Sequence, residues 1–227
     1  MTEMMIAALV WVVSHLGISS TPLRKTLVGA VGEKGYLGLY SLIALAAFIY
    51  LIWTYNSVPR FDYLWMPNPD LYWVSKITMP IAFILLVGGF MVKNPTNVGM
   101  SIDSSEQAVD MAKGVTRITR HPLQWAIVLW AAGHIIANGD VVSVIFFSSF
   151  LVLSFLGTFL MDKKKAATMG EGWAAYAQVT SNIPFAAILG GRTKFELKEL
   201  ALPAIVGLVV HVAASYFHES YTGAVII

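Results

Sequence analysis

Apolar residues gather into long runs along this chain, and six of them approach the roughly 20 residues that a helix needs to cross a bilayer. They run from about Met4 to Leu16, Tyr36 to Tyr55, Trp73 to Val92, Pro122 to Ala137, Val141 to Met161 and Glu199 to His218. The first and fourth are short, which predicts ends in polar or protein-lined surroundings. Two of the connections carry a one-sided helical spacing instead. Ser104 to Val115 opens with Ser-x-x-Gln and places Ala108, Met111, Ala112 and Val115 on one face, and Ala166, Met169, Trp173 and Tyr176 or Ala177 repeat the pattern. Both read as helices lying on the membrane surface. The expected fold is therefore an all-α polytopic bundle of about six transmembrane helices with two interfacial helices. Residues 1–227 show no repeat, low-complexity tract or domain-sized linker, so they read as a single domain.

Composition strengthens the membrane reading: 57% of residues are hydrophobic and 12% charged, with a mean hydropathy of +0.68. Charge then orients it. Of the Lys and Arg residues, thirteen fall in one set of connections and two, Arg60 and Lys76, in the other. The positive-inside rule thus places both termini outside. No basic leader precedes the first run, which reads as a retained helix. With no cysteine in the chain, disulfides, thiolate catalysis, Cys-ligated zinc and iron–sulfur clusters are excluded, and a metal must be held by His, carboxylate, Tyr or Met.

Candidate chemistry concentrates in Arg117 to Asp140. Arg117 and Arg120 form a basic collar, Pro122 suits a first helical turn, and Asn138-Gly139-Asp140 supplies a turn. The span between them is apolar except for Gln124 and His134. A histidine near mid-bilayer demands a role. His15 and His211 also fall inside predicted spans, and two imidazoles on different helices could serve as axial ligands of a b-type haem. At about 1.5 Å per residue, His134 and His211 each lie about 18 Å above the inner boundary, and His15 about 12 Å. Depth therefore leaves His134–His211 and His15–His134 both open. His121, between Arg120 and Pro122, could bind an anionic group together with Arg117 and Arg120, and His218 shares a face with His211 near the outer surface.

The stretches GEKGYLGLYSLIALAAFIYLIWTY, TRHPLQWAIVLWAAGHIIANGD and SNIPFAAILGGR, with the His-Leu-x-x-Ser-Ser-Thr-Pro opening at His15, resemble the NnrU family of membrane proteins over nearly the whole chain. That family includes bacterial proteins associated with denitrification and the related 15-cis-zeta-carotene isomerases. The resemblance implies a helical bundle holding haem b, with His15 and His134 at the matching ligand positions and His211 as the rival. Where the isomerase pattern has a cysteine three residues before the second ligand, this chain has Ala131, which excludes a thiolate ligand exchange. The implied setting is the bacterial cytoplasmic membrane. The implied partners are the lipid bilayer, a lipophilic polyene or nitric oxide, and a second copy of the chain, with no nucleic acid. A more distant resemblance links Arg-His-Pro and Gly170-x-x-Trp-x-x-Tyr176 to S-adenosylmethionine-dependent membrane methyltransferases. There a later glutamate pair helps bind the cofactor, and here Asp162-Lys163 stands in its place.

Overall fold

The computed structural model describes residues 1–97, 99–102 and 104–223. Its elements run α1 (Thr2–Ser19), α2 (Leu23–Ser57), α3 (Pro69–Met91), α4 (Ser105–Asp110), α5 (Val115–Ile118), α6 (Pro122–Asn138), α7 (Val141–Val179), α8 (Ala186–Leu189) and α9 (Leu197–Thr222). The described residues form a helical membrane bundle. Five helices, α1, α2, α3, α7 and α9, are long and apolar enough to cross a membrane. The sixth expected span, α6, has 17 residues and reaches about 26 Å. It is packed between α3 and α7, so protein covers much of what lipid would otherwise meet.

Local signals set most boundaries. Pro69 opens α3 behind an Asn68 cap, whose side chain accepts from the backbone N–H groups of Asp70 and Leu71. Gly139 closes α6 at φ 71°, and the Asp140 carboxylate at once caps α7 through Ser143 N at 2.8 Å. A Cβ on Gly139 would collide with the carbonyl oxygen of Trp65. That close approach straps the aromatic connection to the turn: Trp65 Nε1 donates to Ile136 O at 2.9 Å, Leu64 N to Gly139 O at 2.9 Å and Val141 N to Asp62 O at 3.0 Å.

The interfacial helices differ from expectation. The first is divided into α4 and α5, because Gly114 takes φ 58°, and the Thr116 hydroxyl, accepting from Lys113 N at 2.9 Å, holds the connection between them. The second is no separate element but the far part of α7, continued past a break at Gly170 (φ 52°, ψ −125°). A similar break at Gly32 (φ 73°, ψ 167°) lets α2 begin thirteen residues before the expected Tyr36. Neither break interrupts the run of helical residues around it, and spacing alone does not reveal a change of direction.

α1 and α7 run side by side in the same sense, so Met4, Ala7, Ala8 and Trp11 pack with Phe146, Phe147, Ala47, Leu51 and Ala131 in the half away from the basic connections. Toward the basic end, Leu85, Val115, Ile118, Ala126 and Leu200 form a second core. Beyond it, α4 and the distal part of α7 enclose Ala108, Met111, Ala112, Trp173 and Tyr176.

Candidate functional site

α1 and α6 carry the same local device. In each, a tryptophan precedes a histidine by four residues, and its carbonyl holds the imidazole: His15 Nδ1 to Trp11 O is 2.8 Å, and His134 Nδ1 to Trp130 O is also 2.8 Å. Nδ1 is thereby the protonated donor, and each Nε2 keeps its lone pair with no hydrogen-bond partner among the described residues. Such a backbone-anchored imidazole is what a metal-binding histidine needs. The His134 ring is stacked on Phe147 at 4.6 Å and 26°.

The structure does not bring His15 and His134 together. α1 and α6 each pack against α7. His15 sits level with Ser154 and Gln124, whereas His134 sits level with Phe147, about 10 Å away along α7. The rings of Trp11, Phe150 and Trp130 fill the space between them, with Trp11–Phe150 centroids at 5.2 Å and Phe150–Trp130 at 5.4 Å. Two imidazoles on one iron need ligating nitrogens about 4 Å apart. The donor chemistry of each histidine fits axial ligation of haem; the pair does not fit one iron in this arrangement. Nor do the described residues hold a group of three or more His, Asp or Glu side chains placed for a bare metal ion.

His211 does not reach His134 either. It lies against Phe83 of α3, with centroids 5.4 Å apart, and the ring beside His134 is His218, at 6.4 Å. The reason lies at the basic end. Glu199, in the first turn of α9, accepts from Gly114 N at 2.7 Å and pairs with both Arg117 Nε at 2.8 Å and Arg117 Nη2 at 3.0 Å. α9 thus starts level with α5, below the first turn of α6, and a residue seven places farther along becomes level with His134.

Arg117, Arg120 and His121 do not form an open anion site. Arg117 is occupied by Glu199, and also donates to Thr193 Oγ1 at 2.9 Å. Arg120 and His121 converge on Asp162, a residue whose role sequence reasoning missed. Its oxygens accept from Arg120 Nε at 2.9 Å, Arg120 Nη2 at 2.6 Å, His121 Nε2 at 2.6 Å and Asn182 Nδ2 at 3.3 Å. The same carboxylate occupies the place of the methyltransferase glutamate pair, and protein groups already satisfy it. Arg120 also gives its N–H to Ser181 O at 2.8 Å, while its carbonyl accepts from Asn94 Nδ2 at 3.0 Å and Thr96 Oγ1 at 3.1 Å.

His121 is fully buried, and burial pushes its pKa down against the opposing pull of Asp162. Its contact with Asp162 is thus a neutral imidazole donating to a carboxylate, and Nδ1 is left without a partner. With the folded pKa below the unfolded value of 6.5, the unfolded chain takes up the proton first as pH falls, so this residue removes stability below about pH 6.5. Melting temperature measured from pH 8 to pH 5 should therefore fall less steeply at the acid end in His121→Asn than in the wild type. Parallel curves would contradict the assignment.

A family model described as NnrU protein matches residues 3–225. Two curated relatives are chloroplastic 15-cis-zeta-carotene isomerases. The maize protein is 27% identical, matching 95% of this chain and 59% of its own length; the Arabidopsis thaliana protein is 25% identical, matching 97% of this chain and 60% of its own length. The chain therefore spans about three-fifths of the relatives it matches. No solved structure matches it. With a match over almost its full length, the chain belongs to the NnrU family.

Proposed function

We propose that this protein is a haem-dependent isomerase of a lipid-soluble polyene in a bacterial cytoplasmic membrane, with His134 as the residue that holds the iron. The observation that carries this reading is an apolar cleft of about 310 Å³ between α3, α6 and α7, lined by Ala82, Phe83, Leu86, Ala126, Ile127, Trp130 and Phe150. No polar side chain lines it. A flat conjugated chain entering from the bilayer would exchange lipid contacts for ring faces, and Phe83, Trp130 and Phe150 would orient it while excluding water.

Trp130 joins the cleft to the histidine. Its ring lines the cleft, and its carbonyl fixes the His134 tautomer, so His134 stands about one helical turn from the cleft wall. Haem, if held by His134, would supply reversible electron donation to the conjugated chain. The relatives' printed activity, isomerisation of 15-cis-zeta-carotene, supports a substrate of this class.

The test combines visible spectra with turnover. Purified protein expressed with ample haem should show a b-type reduced spectrum and should convert a cis-polyene to its trans isomer on chromatography; His134→Ala should lose both. If His15→Ala loses the spectrum equally, α1 moves to deliver a second ligand. If it keeps the spectrum, His134 holds the iron without it. A wild-type protein that stays colourless, or one that binds haem and converts no polyene, would overturn the reading.

A further inference from the structure

A second cavity, of about 260 Å³, lies in the basic half of the bundle between α1, α2, α6 and α7. Its character is opposite to that of the apolar cleft. His15, Ser19, Ser20, Tyr40, Gln124, Ser154 and Lys164 all line it, although polar side chains inside a membrane bundle are costly unless something satisfies them.

Several of these groups lack a protein partner. The Nε2 of His15 and the side-chain amide of Gln124 have no hydrogen-bond partner among the described residues, and Lys164 forms no ion pair there. No carboxylate lines the cavity. Glu33 acts on Lys164 from outside the cavity and is itself paired with Arg24, and an ammonium, amide and hydroxyl set with no carboxylate in its lining is a site for an anion.

We infer that this cavity binds the phosphate group of an anionic amphiphile, seated where the membrane meets the basic connections. Three observations give the ligand its class. The cavity is of headgroup size, just below the usual range of about 300–1,000 Å³ for small-molecule sites. Leu16, Leu153, Leu160 and Met161 flank the polar groups and offer a path for acyl chains. Lys164 belongs to the Lys163–Lys165 run, and basic pockets between helices on that side of a membrane recognise lipid headgroups. His15 is common to this cavity and to the haem test, so the inference is tested through Lys164 and Gly157, which belong neither to the cleft nor to the candidate iron ligands.

Gly157 gives a clean way to close the cavity. It lines the space, and a Cβ built on it meets nothing within 4 Å, so a leucine there starts into the cavity from an unobstructed position. The full-length protein would be examined by native mass spectrometry after exchange into detergent containing phosphatidylglycerol or phosphatidylcholine. The expected result is selective retention of phosphatidylglycerol, weakened at least about tenfold in Lys164→Ala and in Gly157→Leu, with melting temperatures unchanged. Inorganic phosphate that displaces the lipid would assign recognition to the phosphate group. Retention of inorganic phosphate but not of phosphatidylglycerol would make free phosphate, not a lipid, the ligand. Equal retention of the two lipids, or full retention in a well-folded Gly157→Leu variant, would overturn the inference.

Discussion

Replacing Asp162 with alanine is expected to destabilise the protein by about 3–5 kcal/mol, the range found when one partner of a buried ion pair is removed. Arg120 is 13% exposed at its side chain and His121 is 0% exposed. Without the carboxylate, His121 keeps its donor out of reach of water and Arg120 keeps most of its own there. The damage would spread, because Asp162 on α7 gathers the start of α6 through Arg120 and His121 and the segment after α7 through Asn182. Asp162→Asn should fall between wild type and alanine, since an amide oxygen can still accept on one side while its NH₂ faces a donor. The double variant Asp162→Leu with Arg120→Leu should recover part of the loss, as replacing both members of a buried pair is often nearly neutral. Thermal unfolding in detergent, with the same detergent and lipid throughout, measures all three. A loss under about 1 kcal/mol for Asp162→Ala would mean that these contacts are peripheral.

The sequence placed Asp162 only by its likeness to the methyltransferase glutamate pair, and its contacts with Arg120 and His121 were not legible there. Two of its partners are 41 and 42 residues away, in the connection before α6, and no spacing rule identifies the neighbours of its own helix. The spans were legible for the opposite reason. A bilayer forces every crossing into a long apolar helix, so Tyr36 to Tyr55 and Val141 to Met161 announce themselves, while the bends at Gly32 and Gly170 are set by two backbone angles and leave no trace in periodicity. The tryptophan four residues before His15 and again before His134 was visible in the sequence; only the carbonyl contacts give it meaning. Depth counting failed at His211 because it took α6 and α9 to begin in one plane, whereas Glu199 is fastened to Gly114 and Arg117 below α6.

That offset makes the α3–α9 crossing decisive, and Gly207→Leu is expected to be the most damaging substitution in α9. A Cβ at Gly207 would stand 2.7 Å from Ile84 Cα, 2.9 Å from Ile84 N and 3.0 Å from Phe83 O. These are backbone atoms of α3, which cannot rotate aside as a side chain does, so the two helices must part. Overpacking commonly costs about 1–3 kcal/mol, and with a rigid backbone opposite, the upper end, about 3 kcal/mol, is the expected loss. The consequence reaches the candidate site. α9 is fixed at its start by Glu199 and along its length by this crossing, and together these bring His218 to 6.4 Å from His134 and His211 against Phe83, a residue of the apolar cleft. Parting α3 from α9 therefore moves one wall of the cleft while the Trp130 carbonyl still holds His134. Gly207→Leu should lower the melting temperature and reduce polyene turnover more than it reduces haem content, whereas Gly38→Leu, where a Cβ meets nothing within 4 Å, should change none of the three. Haem loss in step with turnover would show instead that α9 supports the iron ligand itself and not the cleft wall.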